Sequence, residues 1–121
     1  MEKIKIKKDF KRPWGGFIQF TENQPSTVKI LKIKKGESLS LQSHKMRDEF
    51  WYLISGKIKV KIGKKINSLE ELILKEGETI FIPRHFLHQA SALKNSEILE
   101  ISFGKFKEED EIRYQDKYGR K

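Results

Sequence analysis

Short runs of apolar and β-branched residues recur along the whole chain, each closed by turn-forming residues. They are Ile4 to Lys7, Phe17 to Phe20, Val28 to Ile33, Leu39 to Gln42, Phe50 to Ile54, Ile58 to Ile62, Leu69 to Leu74, Thr79 to Ile82 and Ile98 to Phe103. Gly56, Gly63 and Gly77 punctuate them, and Gly63-Lys64-Lys65 reads as a hairpin tip. That spacing specifies an all-β sandwich or barrel. At 121 residues the chain can build one core but not two, so residues 1–121 are expected to form a single domain. The segment from Lys107 to Lys121 is polar and charge-rich, and reads as a short helix or an extended C-terminal arm.

Every histidine lies in one of two glycine-bounded blocks, Gly36-(x5)-Gln42-x-His44-(x4)-Glu49-(x6)-Gly56 and Gly77-(x5)-Pro83-x-His85-(x2)-His88. Residues two apart on a strand project to one face, so Gln42 and His44 point together. Glu49 opens the next strand and His88 arrives from a distant one. An amide oxygen, two imidazoles and a carboxylate form a mixed N/O set suited to one divalent first-row metal, zinc first, with manganese, iron, cobalt and nickel as the others. Only Glu49 would neutralise such a cation. The remaining positive charge suits polarisation of a substrate oxygen.

If Glu49 faces the barrel interior, Phe50, Tyr52 and Ile54 face outward, as do Leu39 and Leu41 opposite Ser40 and Gln42. Something must cover these rows. An N-terminal strand around Ile4 and Ile6 is one cover, and a second copy of the chain is another, so a homodimer is expected.

The chain carries 26 basic against 17 acidic residues, a formal charge of +9, which favours an anionic partner. Lys57, Lys59 and Lys61 alternate with Ile58, Val60 and Ile62, as on a solvated strand face. No nucleic-acid-binding motif accompanies the charge, so nucleic acid is not an expected partner, while charge alone leaves small anions such as a sugar phosphate open. The apolar stretches are far shorter than the roughly 20 residues that cross a bilayer, and no secretory leader is visible. The absence of cysteine removes disulfides and thiol chemistry and fits a reducing cytosol, so no membrane association and a cytoplasmic location are expected.

Both histidine blocks resemble the two motifs of the cupin superfamily, with Gln42 standing where many cupins have their first histidine. Arg12-Pro13-Trp14-Gly15-Gly16, Leu39-Ser40-Leu41-Gln42, Arg47-Asp48-Glu49-Phe50-Trp51, Ile82-Pro83 and the tail from Glu108 to Arg120 resemble the type II mannose-6-phosphate isomerase domain. The resemblance implies a double-stranded β-helix, or jelly-roll barrel, with Gln42 as a neutral oxygen ligand beside His44, Glu49 and His88. It also implies interconversion of mannose 6-phosphate and fructose 6-phosphate, in hexose or nucleotide-sugar metabolism, by what is expected to be a stand-alone domain. Many relatives of this type are fused behind a nucleotidyltransferase, but no Gly-rich nucleotide loop occurs in this sequence.

Such a reaction needs a group that polarises the carbonyl, a base that moves a proton between C1 and C2, and cations for the phosphate. Glu49, His85 and Asp48 are the candidate catalytic residues. Lys45, Arg47, Arg84, Arg113 and Arg120 are the candidate phosphate contacts, of which Arg47 and Arg120 match family positions. The chain departs from the pattern at Lys45, Met46 and Phe50, where three histidines are common, and at Ala92, Gln89 and Ser102. His85 replaces a usual glycine. A non-catalytic, metal-containing sugar-binding cupin is the alternative reading.

Overall fold

The computed structural model describes residues 6–105 and 107–115. Its strands are β1 (Lys7–Arg12), β2 (Gly15–Gln19), β3 (Thr27–Ile33), β4 (Leu41–His44), β5 (Arg47–Ser55), β6 (Lys57–Gly63), β7 (Glu70–Lys75), β8 (Thr79–Ile82), β9 (Leu87–Ala92), β10 (Ser96–Gly104) and β11 (Glu111–Gln115). Single 3-10 turns occupy Ile66–Ser68 and Glu108–Asp110. One sheet runs β3-β10-β5-β8 and the other β11-β4-β9-β6-β7, with β1 and β2 forming a separate two-stranded hairpin. All pairings among these strands are antiparallel. This is the expected jelly-roll barrel.

Alternation decides what lies between the two sheets. Trp51 and Leu53 of β5, Ile98 of β10 and Ile82 of β8 meet Ile58 and Val60 of β6, all essentially without solvent contact. Each large apolar side chain buried this way stabilises the fold by about 1.5–3 kcal/mol. On β9 the inward positions opposite Val60 and Ile58 are Ala90 and Ala92, small residues against larger neighbours. The turn from β5 to β6 rests on Gly56, whose φ of 96° and contact with Ser96 both exclude a side chain.

The outward row is covered in part by the chain itself. Phe20, just past β2, sets its ring 5.1 Å from Tyr52 and 6.1 Å from Phe50, and both Phe50 and Leu41 are buried. Ile54, Val28 and Ile30 stay exposed. Among the described residues the first strand begins at Lys7; Ile4 and Lys5, of the run from Ile4 to Lys7, lie outside them. The C-terminal segment is a 3-10 turn followed by a strand, which adds β11 to the edge of the second sheet. No helix among the described residues is long and apolar enough to cross a membrane.

Candidate metal centre

The two sheets bring the donors together from opposite sides. His44 ends β4 and His88 lies on β9, both in the five-stranded sheet, whereas Glu49 lies on β5 in the other. One atom from each of His44, Glu49 and His88 lies within 4.8 Å of the others, and all three residues are buried. The register sets Gln42 directly across from His88, on the same face of the sheet.

Hydrogen bonding fixes which atoms are free. The His88 Nδ1 lies 3.0 Å from the Phe86 carbonyl, which can only accept, so Nδ1 carries the proton and Nε2 the lone pair. That lone pair faces Glu49 Oε1 at 3.2 Å. Two acceptors at this separation attract only with a cation between them, either a second proton on the imidazole or a metal ion. Among the described residues, His44 Nε2, Glu49 Oε1 and His88 Nε2 are buried without a hydrogen-bond partner. Buried polar atoms are rarely left so. The donor set therefore fits a divalent metal through Glu49 and the two imidazoles.

The other oxygen of Glu49 is held. Arg47 Nε donates to Oε2 at 3.1 Å and Ser102 Oγ at 3.3 Å. Burial pushes the Glu49 carboxyl upward, but where a second proton sits on His88 the hydrogen bond and charge of that imidazole, with the charges of His44 and Arg47, outweigh it and bring the pKa from 4.5 to about 2. Glu49 is therefore an anion at any physiological pH. Arg47 also donates through Nη1 to the Lys107 carbonyl, and the residue is buried.

The remaining candidates divide by location. The Asp48 carboxylate accepts the Arg84 backbone N–H at 2.8 Å and faces the Arg84 Nε at 3.6 Å. It thereby fastens the turn between β8 and β9. In that turn His85 has a φ of 71°, and its backbone N–H donates to the His44 carbonyl at 2.7 Å, which sets it beside the end of β4. A left-handed backbone explains why glycine suits this position. The His85 side chain is exposed and, among the described residues, makes no hydrogen bond or ion pair. Lys45 is exposed at the β4–β5 turn. Arg113 lies on β11 in register with Gln42. Arg120 lies outside the described residues.

Two further carboxylates, one buried and one partly buried, escape a reading of spacing alone. Glu100 on β10 accepts the Trp51 indole N–H at 3.0 Å and is nearly inaccessible. Glu111 on β11 lies across from His44, with Oε1 4.0 Å from His44 Nε2 and Oε2 2.6 Å from Arg113 Nε. The facing His44 imidazole, against partial burial and with the charges of Arg113 and Arg47, holds Glu111 below the usual carboxylate range. Alternation of Glu111, Arg113 and Gln115 is the one trace of this strand in the sequence.

The family model described as mannose-6-phosphate isomerase C-terminal matches residues 1–117. The xanthan biosynthesis protein XanB of Xanthomonas campestris pv. campestris is 36% identical over 90% of this chain and 23% of its own length. The mannose-1-phosphate guanylyltransferase of Escherichia coli K12 is 33% identical over 96% of this chain and 24% of its own. The chain thus spans about a quarter of the length of these relatives. Among solved structures, a Bacillus subtilis oxalate decarboxylase superposes with a TM-score of 0.68 at 22% identity, over 76% of this chain and 25% of that one. The rmlC epimerase of Mycobacterium tuberculosis superposes with a TM-score of 0.69 at 14% identity, over 91% of this chain and 66% of the other. These likenesses show a shared fold.

Proposed function

The chain belongs to the mannose-6-phosphate isomerase C-terminal family, and on that premise we propose that it is a metal-dependent aldose–ketose isomerase of sugar phosphates, with mannose 6-phosphate and fructose 6-phosphate as its first pair. The observation that carries the reading is the cluster of buried, unpartnered donor atoms on His44, Glu49 and His88. Gln42 completes the proposed ligand set, and zinc is the first metal to test. When bound, the ion would polarise a sugar carbonyl or hydroxyl oxygen.

The chain's own residues supply the rest. Arg47 and Ser102 hold one oxygen of Glu49 and so aim the other at the centre. His85 is the proposed proton carrier between C1 and C2, since its ring is uncommitted and its turn abuts His44, whereas Asp48 is occupied by Arg84. Arg113, Arg84 and Lys45, with Arg120, are the proposed phosphate contacts. The alternative, a sugar-binding domain without turnover, draws support from Lys45, Met46 and Phe50 at positions where the isomerase pattern carries histidines. Location in the cytoplasm is part of the same proposal.

A coupled assay on metal-defined protein separates the readings. Mannose 6-phosphate should turn over, and removing the metal or changing Glu49→Ala should abolish the reaction, while Arg120→Ala should mainly raise KM if the guanidinium holds phosphate throughout. Tight sugar-phosphate binding without turnover under any of the candidate metals would decide for the binding domain.

A further inference from the structure

Glu111 is not among the proposed ligands, yet it touches one of them and lies near another. With the Gln42 amide oriented so that its NH2 faces the carboxylate, the nitrogen lies 2.6 Å from Glu111 Oε1 and 3.1 Å from Oε2. The opposite orientation would set the amide oxygen against two carboxylate oxygens. Across the strand pair, Glu111 Oε1 is also the nearest carboxylate to His44 Nε2, at 4.0 Å, while His44 Nδ1 faces Glu49 Oε1 at 3.7 Å. The imidazole of His44 is thus bracketed by two carboxylates. Glu111 is in turn pinned by Arg113, at 2.6 Å.

We propose that Glu111 is a positioning residue of the metal centre: from β11 it fixes the amide orientation of Gln42. An amide whose NH2 is spent on Glu111 directs its oxygen elsewhere, which is what a neutral oxygen ligand requires. The ion pair with Arg113 limits the charge that Glu111 adds to the centre. The C-terminal strand then belongs to the metal site, although it supplies no ligand. This inference rests on the metal reading given above.

The test uses apo-protein titrated with Co2+, whose visible absorption reports donor geometry without reference to turnover. Glu111→Leu, which removes the acceptor of the Gln42 NH2, should lower Co2+ affinity by about 10- to 100-fold and shift the absorption bands, with band intensity and hence coordination number retained. Glu111→Gln, whose amide oxygen can still accept from that NH2, should keep most of the affinity, and circular dichroism of the metal-free proteins should show both folded. Wild-type affinity and spectrum in Glu111→Leu, alongside loss of binding in His88→Ala, would overturn the positioning role and leave the metal reading standing. A changed band intensity would overturn it by making Glu111 a ligand itself. Failure of the wild-type chain to bind Co2+ would overturn both.

Discussion

Glu100 brings into the barrel a carboxyl that the proposed centre does not use. Burial, followed by the negative charge of Glu49, pushes it up from 4.5 to about 7, against the Trp51 hydrogen bond and the charges of Arg47 and His88. Between pH 4.5 and pH 7 the folded protein therefore holds a proton that the unfolded chain has released. Stability falls as pH rises through that window and levels off above it. Glu100→Gln keeps the shape and an acceptor for Trp51 but cannot ionise. In metal-free protein it should raise stability at pH 8 by at most about 3 kcal/mol and change it little near pH 4.5. Urea denaturation at the two pH values checks this, and an equal gain at both would refute the pH-dependent origin. Of the interior polar residues, His44, Glu49 and His88 are legible in the sequence because ligand spacing and a Gly and Pro frame mark them. Glu100 is indistinguishable there from Glu97, since both sit in one alternating strand and only the fold separates inside from outside.

Elements were legible in proportion to their apolar content. β3, β5, β6, β8 and β10 announce themselves through Val, Ile, Phe and Trp. β9 does not, because its inward residues beyond His88 are Ala90 and Ala92, chosen by the space left opposite Val60 and Ile58 and not by strand propensity. β11 is hidden for another reason: its inward residues are charged and meet charged partners, so it has the composition of a solvated arm. Beyond its pairing with β4, it is fastened at its start by Asp110, whose two carboxylate oxygens accept the backbone N–H groups of Lys45 and Met46 at 3.0 and 2.8 Å. Slight burial works against ionisation, but those two donors prevail and lower the Asp110 pKa. The anchor is complete above the ordinary carboxylate range and is lost as pH falls through the lowered folded value. Asp110→Ala should therefore loosen β11 selectively: amide exchange of residues 111–115 should quicken at neutral pH while β5 and β6 keep their protection. Uniform loss of protection would show that the anchor supports the whole barrel.

At the scale of the molecule, β3 is the outer edge of its sheet, and Val28 and Ile30 share a face with Ile101 and Leu99 through the β3–β10 register. Through the β10–β5 register that face continues to Phe50 and Tyr52. Phe20 covers its middle, but Val28 and Ile30 remain more than half exposed, and Phe10 and Trp14 of the hairpin more exposed still. We propose that a second copy covers these residues. Sedimentation should find a dimer at micromolar concentration and a monomer when Val28 and Ile30 are both changed to glutamate. A wild-type monomer would refute this.

The order of the strands in space also governs when the centre can come into being. The partners of β4 and β5 include β11 and β10, which lie late in the sequence, while β10 in turn needs β3 from early in it. Contacts so distant along the chain carry a loop-closure penalty that grows as about (3/2)RT ln n and is offset only once both sheets are assembled. A growing chain that already contains His44, Glu49 and His88 still lacks Ser102, which helps hold Glu49, and Glu111, which faces His44 and Gln42. Ion capture would thus be a late event in folding, a mark of the finished barrel and not a template for it.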